Sequence, residues 1–171
     1  MTKKILVTYA TRFGATAAIA AAVAAELHAA GHDVDVREVT AVAAVSPYDA
    51  VVVGSALYGE RWRPEAVDFL RNHRHQLRGR PVWLFHSGPV GPGADDDQPL
   101  PADVLHLAHQ IHARPVKTFG GALRAESLGS NRARRRAQLD DVEFSDARAW
   151  SEIRQWAREV GASLAPIRVP V

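Results

Sequence analysis

The chain has no cysteine among its 171 residues and a single methionine. Without cysteine there is no disulfide framework, no thiolate redox centre and no zinc or iron–sulfur site held by thiolates. Lysine is almost missing too, with only Lys3, Lys4 and Lys117 among 21 basic residues. The Gly-Lys-Ser/Thr ending of a nucleotide P-loop therefore has no lysine to use. No apolar run approaches the length of a membrane span, and the first residues enter a strand pattern with no leader ahead of it. A cytoplasmic protein is the expectation. A net charge of +2 is too small to point to nucleic acid as a partner.

What is present is concentrated near the start. The apolar residues Ile5, Leu6 and Val7 run into Thr8-Tyr9-Ala10-Thr11-Arg12-Phe13-Gly14-Ala15-Thr16, and a Pro-free, Ala-rich segment follows to residue 30. A strand, a hydroxyl-bearing turn and a helix start, in that order, make an anion site. The first-turn N–H groups point outward and the helix dipole adds partial positive charge. Thr11 and Thr16 can donate hydroxyl hydrogen bonds, Gly14 lets the backbone approach closely, and Arg12 adds a cation. The dinucleotide fingerprint Gly-x-Gly-x-x-Gly is excluded, because only Gly14 is in place. The segment Tyr-Ala-Thr-Arg-Phe-Gly-Ala-Thr resembles the FMN phosphate loop of flavodoxin-type proteins, which wraps a terminal phosphate without lysine. That resemblance implies FMN as cofactor and residues 11–16 (Thr11, Arg12, Phe13, Gly14, Ala15, Thr16) as its phosphate cradle.

Apolar runs alternate with helix patterns along the whole chain. Strands are expected at 5–7, 34–36, 50–53, 81–85 and 116–123, and helices at 14–30, from Pro64 onward, at 100–112 and at 145–164. Val67, Phe69, Leu70 and Leu77 are candidate core residues after Pro64. The expectation is a single α/β domain over 1–171. It is a doubly wound five-stranded parallel sheet in three layers, with the flavodoxin-like order 2-1-3-4-5. In such folds ligands bind beyond the carboxyl ends of the strands. That rule selects the loops at 8–16, 54–63 and 86–97.

The second loop contains Gly54-Ser55-Ala56-Leu57-Tyr58-Gly59, where small residues admit a ring and Tyr58 or Trp62 can stack on it. It resembles the isoalloxazine loop of flavodoxin-like proteins, and more particularly that of the flavodoxin-type, quinone-linked protoporphyrinogen oxidases. The third loop, His86-Ser87-Gly88-Pro89-Val90-Gly91, offers backbone N–H groups to the flavin and carries no second aromatic. Gly120-Gly121-Ala122-Leu123-Arg124 resembles a Gly-Ala-Leu-Arg segment of the same oxidases. Their longer basic-aromatic insertion is missing from 125–144, where only the arginines Arg132, Arg134, Arg135 and Arg136 stand out. The resemblance thus implies an FMN-dependent redox protein, with a redox partner or a small molecule such as a porphyrin as substrate. At most it implies peripheral membrane contact. An electron carrier and a flavin-free regulatory module are the alternatives. The charge of +2 counts against the first, because shuttling flavodoxins are usually acidic.

Histidines at 106, 109 and 112 invite a metal. A helix rotates each step of three by about 300°, so successive rings drift by about 60°. No acidic partner lies at i+4, and a solvated face is the simpler reading. The expected metal set is empty, and Asp95, Asp96 and Asp97 lack the oxygen-ligand spacing of a calcium loop.

Overall fold

A computed structural model describes residues 1–88, 96–122 and 148–165. Strand β1 (Lys4–Ala10) leads into helix α1 (Ala15–Ala29), and β2 (Asp33–Glu38) follows after a turn. A short 3-10 turn (Val39–Ala41) precedes β3 (Ala50–Tyr58) and β4 (Arg61–Trp62). Helices α2 (Pro64–Asn72) and α3 (Arg74–Arg78) come before β5 (Val82–Gly88). The chain continues through α4 (Ala102–Gln110), β6 (Lys117–Gly120) and α5 (Trp150–Leu164).

The sheet order is β2-β1-β3-β5-β6, with every neighbouring pair parallel. Counting the parallel strands alone, this is the expected order 2-1-3-4-5. The sixth strand, β4, pairs antiparallel with β3 through Leu57–Trp62 and Tyr58–Arg61. Only Gly59 and Glu60 join the two, both at positive φ (53° and 60°). Such a two-residue turn matches the right-handed twist of the strands it joins.

Period-two alternation divides the core between the two faces of the sheet. Ile5, Val7, Ala50, Val52, Trp83 and Phe85 pack with Ile19, Val23 and Leu27 of α1 and with Ile153, Ala157 and Val160 of α5. Leu6, Val51, Val53, Val82 and Leu84 pack with Val67, Phe69 and Leu70 of α2, Leu77 of α3 and Val104 and Leu107 of α4. A fully buried Val, Leu, Ile or Phe contributes about 1.5–3 kcal/mol, against about 1 for a typical hydrogen bond. The apolar pattern therefore sets the layers, and hydrogen bonds set the register.

Several expected boundaries shift. The first strand extends to Ala10, and the third runs through Gly54, Ser55, Ala56 and Leu57 to Tyr58, so most of the expected second loop is strand. His86, Ser87 and Gly88 likewise belong to β5, not to a loop. The helix from Pro64 breaks at His73, where φ is −103°. The last helix starts at Trp150, because residues 148 and 149 are not helical; Ser145 lies outside the described residues. Helix α1 ends as expected at Gly31. The Gly31 N–H reaches the His28 carbonyl (2.9 Å) and the His32 N–H reaches that of Leu27 (3.3 Å), the paired bonds of a Schellman cap.

Gly54 is a packing requirement. A Cβ there would run into the Phe85 ring, itself buried against Phe119 and Trp156. Gly54→Ala is expected to lower unfolding free energy by about 1–3 kcal/mol, the usual cost of overpacking. A urea titration measures it, and an unchanged midpoint would show that the ring relocates without cost.

Candidate functional site

The carboxyl edge between β1 and β3 is where the chain switches from one face of the sheet to the other. Helix α1 turns to one side and α2 to the other, opening a crevice. The loop at 11–14 sits there. Gly14 caps α1 at φ 90°, in the left-handed region, and a Cβ on it would meet nothing within 4 Å. Its own N–H donates to Thr11 Oγ1 (2.9 Å), which folds the loop and leaves the threonine proton free to donate outward. The Ala18 N–H is the first to bond within the turn, to the Gly14 carbonyl (3.2 Å), and no side chain caps α1. The N–H groups of Ala15, Thr16 and Ala17 therefore have no protein acceptor among the described residues. Three convergent donors, the positive helix end and the open space over Gly14 fit a phosphate.

The Thr16 side chain departs from expectation. It is fully buried and its Oγ1 lies 2.7 Å from Ser87 Oγ. Its hydroxyl ties the first turn of α1 to the end of β5, and its backbone N–H is what remains for an anion. Arg12 places its guanidinium 5.0 Å from the Phe13 ring centre, and Phe13 meets Tyr58 edge-on at 5.9 Å and 87°. The cradle loop and the β3–β4 hairpin are thus joined through aromatic faces. Tyr58 remains 40% exposed, which leaves surface for a planar ligand.

Strand alternation sorts the remaining candidates. Ala56, Tyr58 and Ser87 fall on the α1 side, with the cradle. Ser55 and Leu57 fall on the other side. Ser55 is buried and accepts the Arg63 N–H (3.0 Å) while donating to the Ala56 carbonyl (2.9 Å), so it clamps the base of the hairpin. Gly59 is the hairpin turn, and Gly88 ends β5 so close to Leu57 that a Cβ would lie 2.8 Å from the Leu57 carbonyl oxygen. Pro89, Val90 and Gly91 lie outside the described residues, as do Asp95, Leu123, Arg124 and Arg132 to Arg136.

Behind the hairpin lies a polar chain that the sequence reading did not identify. Trp62, one of two residues, with Tyr58, that could stack on a ring, is buried, and its indole N–H donates to His86 Nδ1 (3.1 Å). That bond makes Nδ1 the acceptor, so the neutral imidazole carries its proton on Nε2 and donates to Thr118 Oγ1 (2.8 Å). Thr118 in turn accepts the Gln98 N–H (3.0 Å). His86, on the same face as Val82 and Leu84, locks the hairpin to β5, β6 and the segment before α4. Burial lowers its pKa to about 4, against smaller opposing contributions from the Gln98 backbone and Asp97. Period-two counting from Val82 would have placed it in the core; the Gly/Pro density that follows led it to be read as loop.

On that face, Leu57, Glu60, Arg61 and the stretch from Gln98 to Asp103 line an open pocket of about 520 Å³. Among the described residues no group of three His, Asp or Glu side chains can hold a metal, and no helix is long and apolar enough to cross a membrane.

A profile described as Flavodoxin domain matches residues 6–133. No curated protein matches the sequence. Among solved structures, a flavodoxin from the domain Archaea superposes with a TM-score of 0.64 at 14% identity, covering 94% of this chain and 97% of the other. Oxidised flavodoxin 1 from Bacillus cereus gives 0.61 at 15% identity (95% and 99%). The flavodoxin of Streptococcus pneumonia TIGR4 gives 0.58 at 21% identity (94% and 99%). At these identities the superpositions speak for the fold.

The buried neutral His86 gives stability a pH dependence. An unfolded histidine takes up a proton near pH 6.5 and the folded one near 4, so the unfolded state binds more protons between them. Its contribution is complete above pH 6.5 and is lost as pH falls through 4, on the order of 3 kcal/mol in all. Urea midpoints between pH 7 and pH 4 should fall further for the native chain than for His86→Gln. Equal falls would contradict the assignment.

Proposed function

The chain belongs to the flavodoxin domain family, and from that premise we propose that it binds FMN and carries electrons between redox partners. The observation that supports this most directly is the set of unpartnered N–H groups at Ala15, Thr16 and Ala17 beneath the open Gly14. FMN, when bound, supplies the electron chemistry, and the protein contributes binding, orientation and electrostatics. In this reading the N–H groups and the Thr11 hydroxyl donate to the phosphate, and Arg12 adds positive charge at its edge. Phe13 and Tyr58 form an aromatic wall for the ring, while Ser55 and the Trp62–His86 bond hold the hairpin that presents Tyr58. Ala56, Gly59, Ser87, Gly88, Pro89, Val90 and Gly91 complete the proposed ring site, to which Leu57 contributes backbone alone, since its side chain faces the other side of the sheet. No side chain is assigned as a general acid or base, because electron transfer needs none. A cytoplasmic location belongs to the same proposal.

A second reading, oxidation of a porphyrinogen, is favoured by the open pocket on the Leu57 face of the hairpin. At about 520 Å³ it falls in the range of small-molecule sites. Leu57, Pro99, Leu100 and Pro101 give it apolar walls, and Arg61 is placed to meet a carboxylate. The family match does not single out this substrate, so the carrier remains the primary reading.

The test begins with retention of FMN absorbance after excess cofactor is removed. Gly14→Asp, which places a carboxylate in the cradle, should weaken FMN binding at least about tenfold, since like charges brought together at an interface cost several kcal/mol. Gly14→Asn, with the same shape and no charge, should weaken it far less. Equal affinity of the Asp variant and the native chain would remove the phosphate from this loop. The loaded protein should also relay electrons from a flavin reductase to cytochrome c faster than free FMN. Turnover of a porphyrinogen in place of that relay would favour the second reading.

A further inference from the structure

A second cationic cleft lies at the opposite edge of the sheet. Helix α3 leads into the start of β5, and the end of α4 leads toward the start of β6, so both lie at the amino edge. Strands of seven to nine residues at about 3.3 Å each put roughly 25 Å between this edge and the cradle. Arg74, His75 and Arg78 of α3 face His109, Gln110 and His112 at the end of α4 across a cleft of about 260 Å³. No aspartate or glutamate among the described residues lines it. Among the described residues neither Arg74 nor Arg78 makes an ion pair. The carboxylates of the neighbouring α2 are already engaged, Glu65 by Arg63 (2.9 Å) and Asp68 by Arg71 (2.7 Å).

His112 is the left-handed residue (φ 55°) that caps α4, its N–H on the His109 carbonyl (3.3 Å) and the next N–H, of Ala113, on the Ala108 carbonyl (2.9 Å), and this cap sets His112 along the cleft. A metal is the wrong occupant, because the described histidines and carboxylates nowhere form a group of three able to hold one. Two guanidinium groups without an ion pair among the described residues suit an anion of more than one charge, and the planar guanidinium fork can take two oxygens of a phosphate at once. The cleft is shallow and open to solvent, its lining residues all exposed, so it suits a small polar group held at the surface. It admits a phosphate or diphosphate group and leaves the rest of a larger ligand outside. Among the described residues, the exposed large hydrophobics Met1, Val36, Tyr58 and Leu105 do not line the cleft, which disfavours a lipid headgroup.

We propose that the cleft between α3 and the end of α4 binds the phosphate or diphosphate group of a small soluble ligand, as a site separate from the FMN cradle. It stands whether or not the chain carries electrons. The probe is inorganic pyrophosphate, titrated into the full-length protein at constant ionic strength while the histidine ring and backbone amide NMR signals are followed. The rings of His75, His109 and His112 should shift saturably, while His28, on α1, stays in place. The Gly14 amide reports separately on any binding at the cradle. Arg74→Gln combined with Arg78→Gln should weaken the ring-detected affinity at least tenfold without moving the thermal midpoint or the Gly14 response. Ring shifts no larger than those caused by chloride, or an affinity unchanged in the double variant, would overturn the proposal.

Discussion

The Thr16–Ser87 hydrogen bond holds together the two ends of the carboxyl edge. It is buried, spans 71 residues of sequence, and fixes the first turn of α1 against the last turn-ward residues of β5. A helix start offers an anion site only where its donors face open space and its axis is held still. Here the buried hydroxyl pair supplies the second condition, and Gly14 in the left-handed region supplies the first. Losing either hydroxyl would leave a buried polar group unsatisfied, at about 1–3 kcal/mol. The same change would release the cradle from the sheet. Stability and site geometry are thus coupled through one contact.

Strand alternation carries that coupling across the sheet. Successive residues of β5 face opposite sides, so Ser87 meets α1 while His86 meets Trp62 and, through Thr118, the segment before α4. The two polar contacts brace the same strand from both faces. In β3, Ser55 and Leu57 anchor the hairpin on the α2 side, while Tyr58 turns toward Phe13 and the cradle. A one-residue slip in either strand would exchange these roles. The tight register around Gly54 and Phe85, with no room for a Cβ, works against such a slip.

The layers were legible in the sequence because parallel strands buried on both faces are short apolar runs, and 50–53 and 81–85 have that form. The cradle was legible because Thr11, Gly14 and the Ala-rich helix are contiguous. What escaped was short or long-range. The two-residue strand at Arg61 and Trp62 has no periodicity to detect, and its turn places Glu60 in a left-handed conformation that glutamate does not advertise. Glycine and proline beyond residue 87 made His86, Ser87 and Gly88 look like loop, although alternation from Val82 continues through them. The partner of the Thr16 hydroxyl lies 71 residues away, and local reading therefore assigned that hydroxyl to the phosphate. Either Tyr58 or Trp62 could stack on a ring or pack the loop, because an aromatic beside a loop has two uses. For Trp62 the buried indole N–H, bonded to His86, decides between them.

The proposed function turns on a phosphate bound by the backbone at the start of α1. Backbone amide NMR with FMN and with riboflavin, its phosphate-free counterpart, tests this directly. Large shifts are expected at Ala15, Thr16 and Ala17 with FMN and small ones with riboflavin, while the Tyr58 region responds to both. Equal shifts at the three cradle amides with the two ligands, or none with FMN, would contradict it.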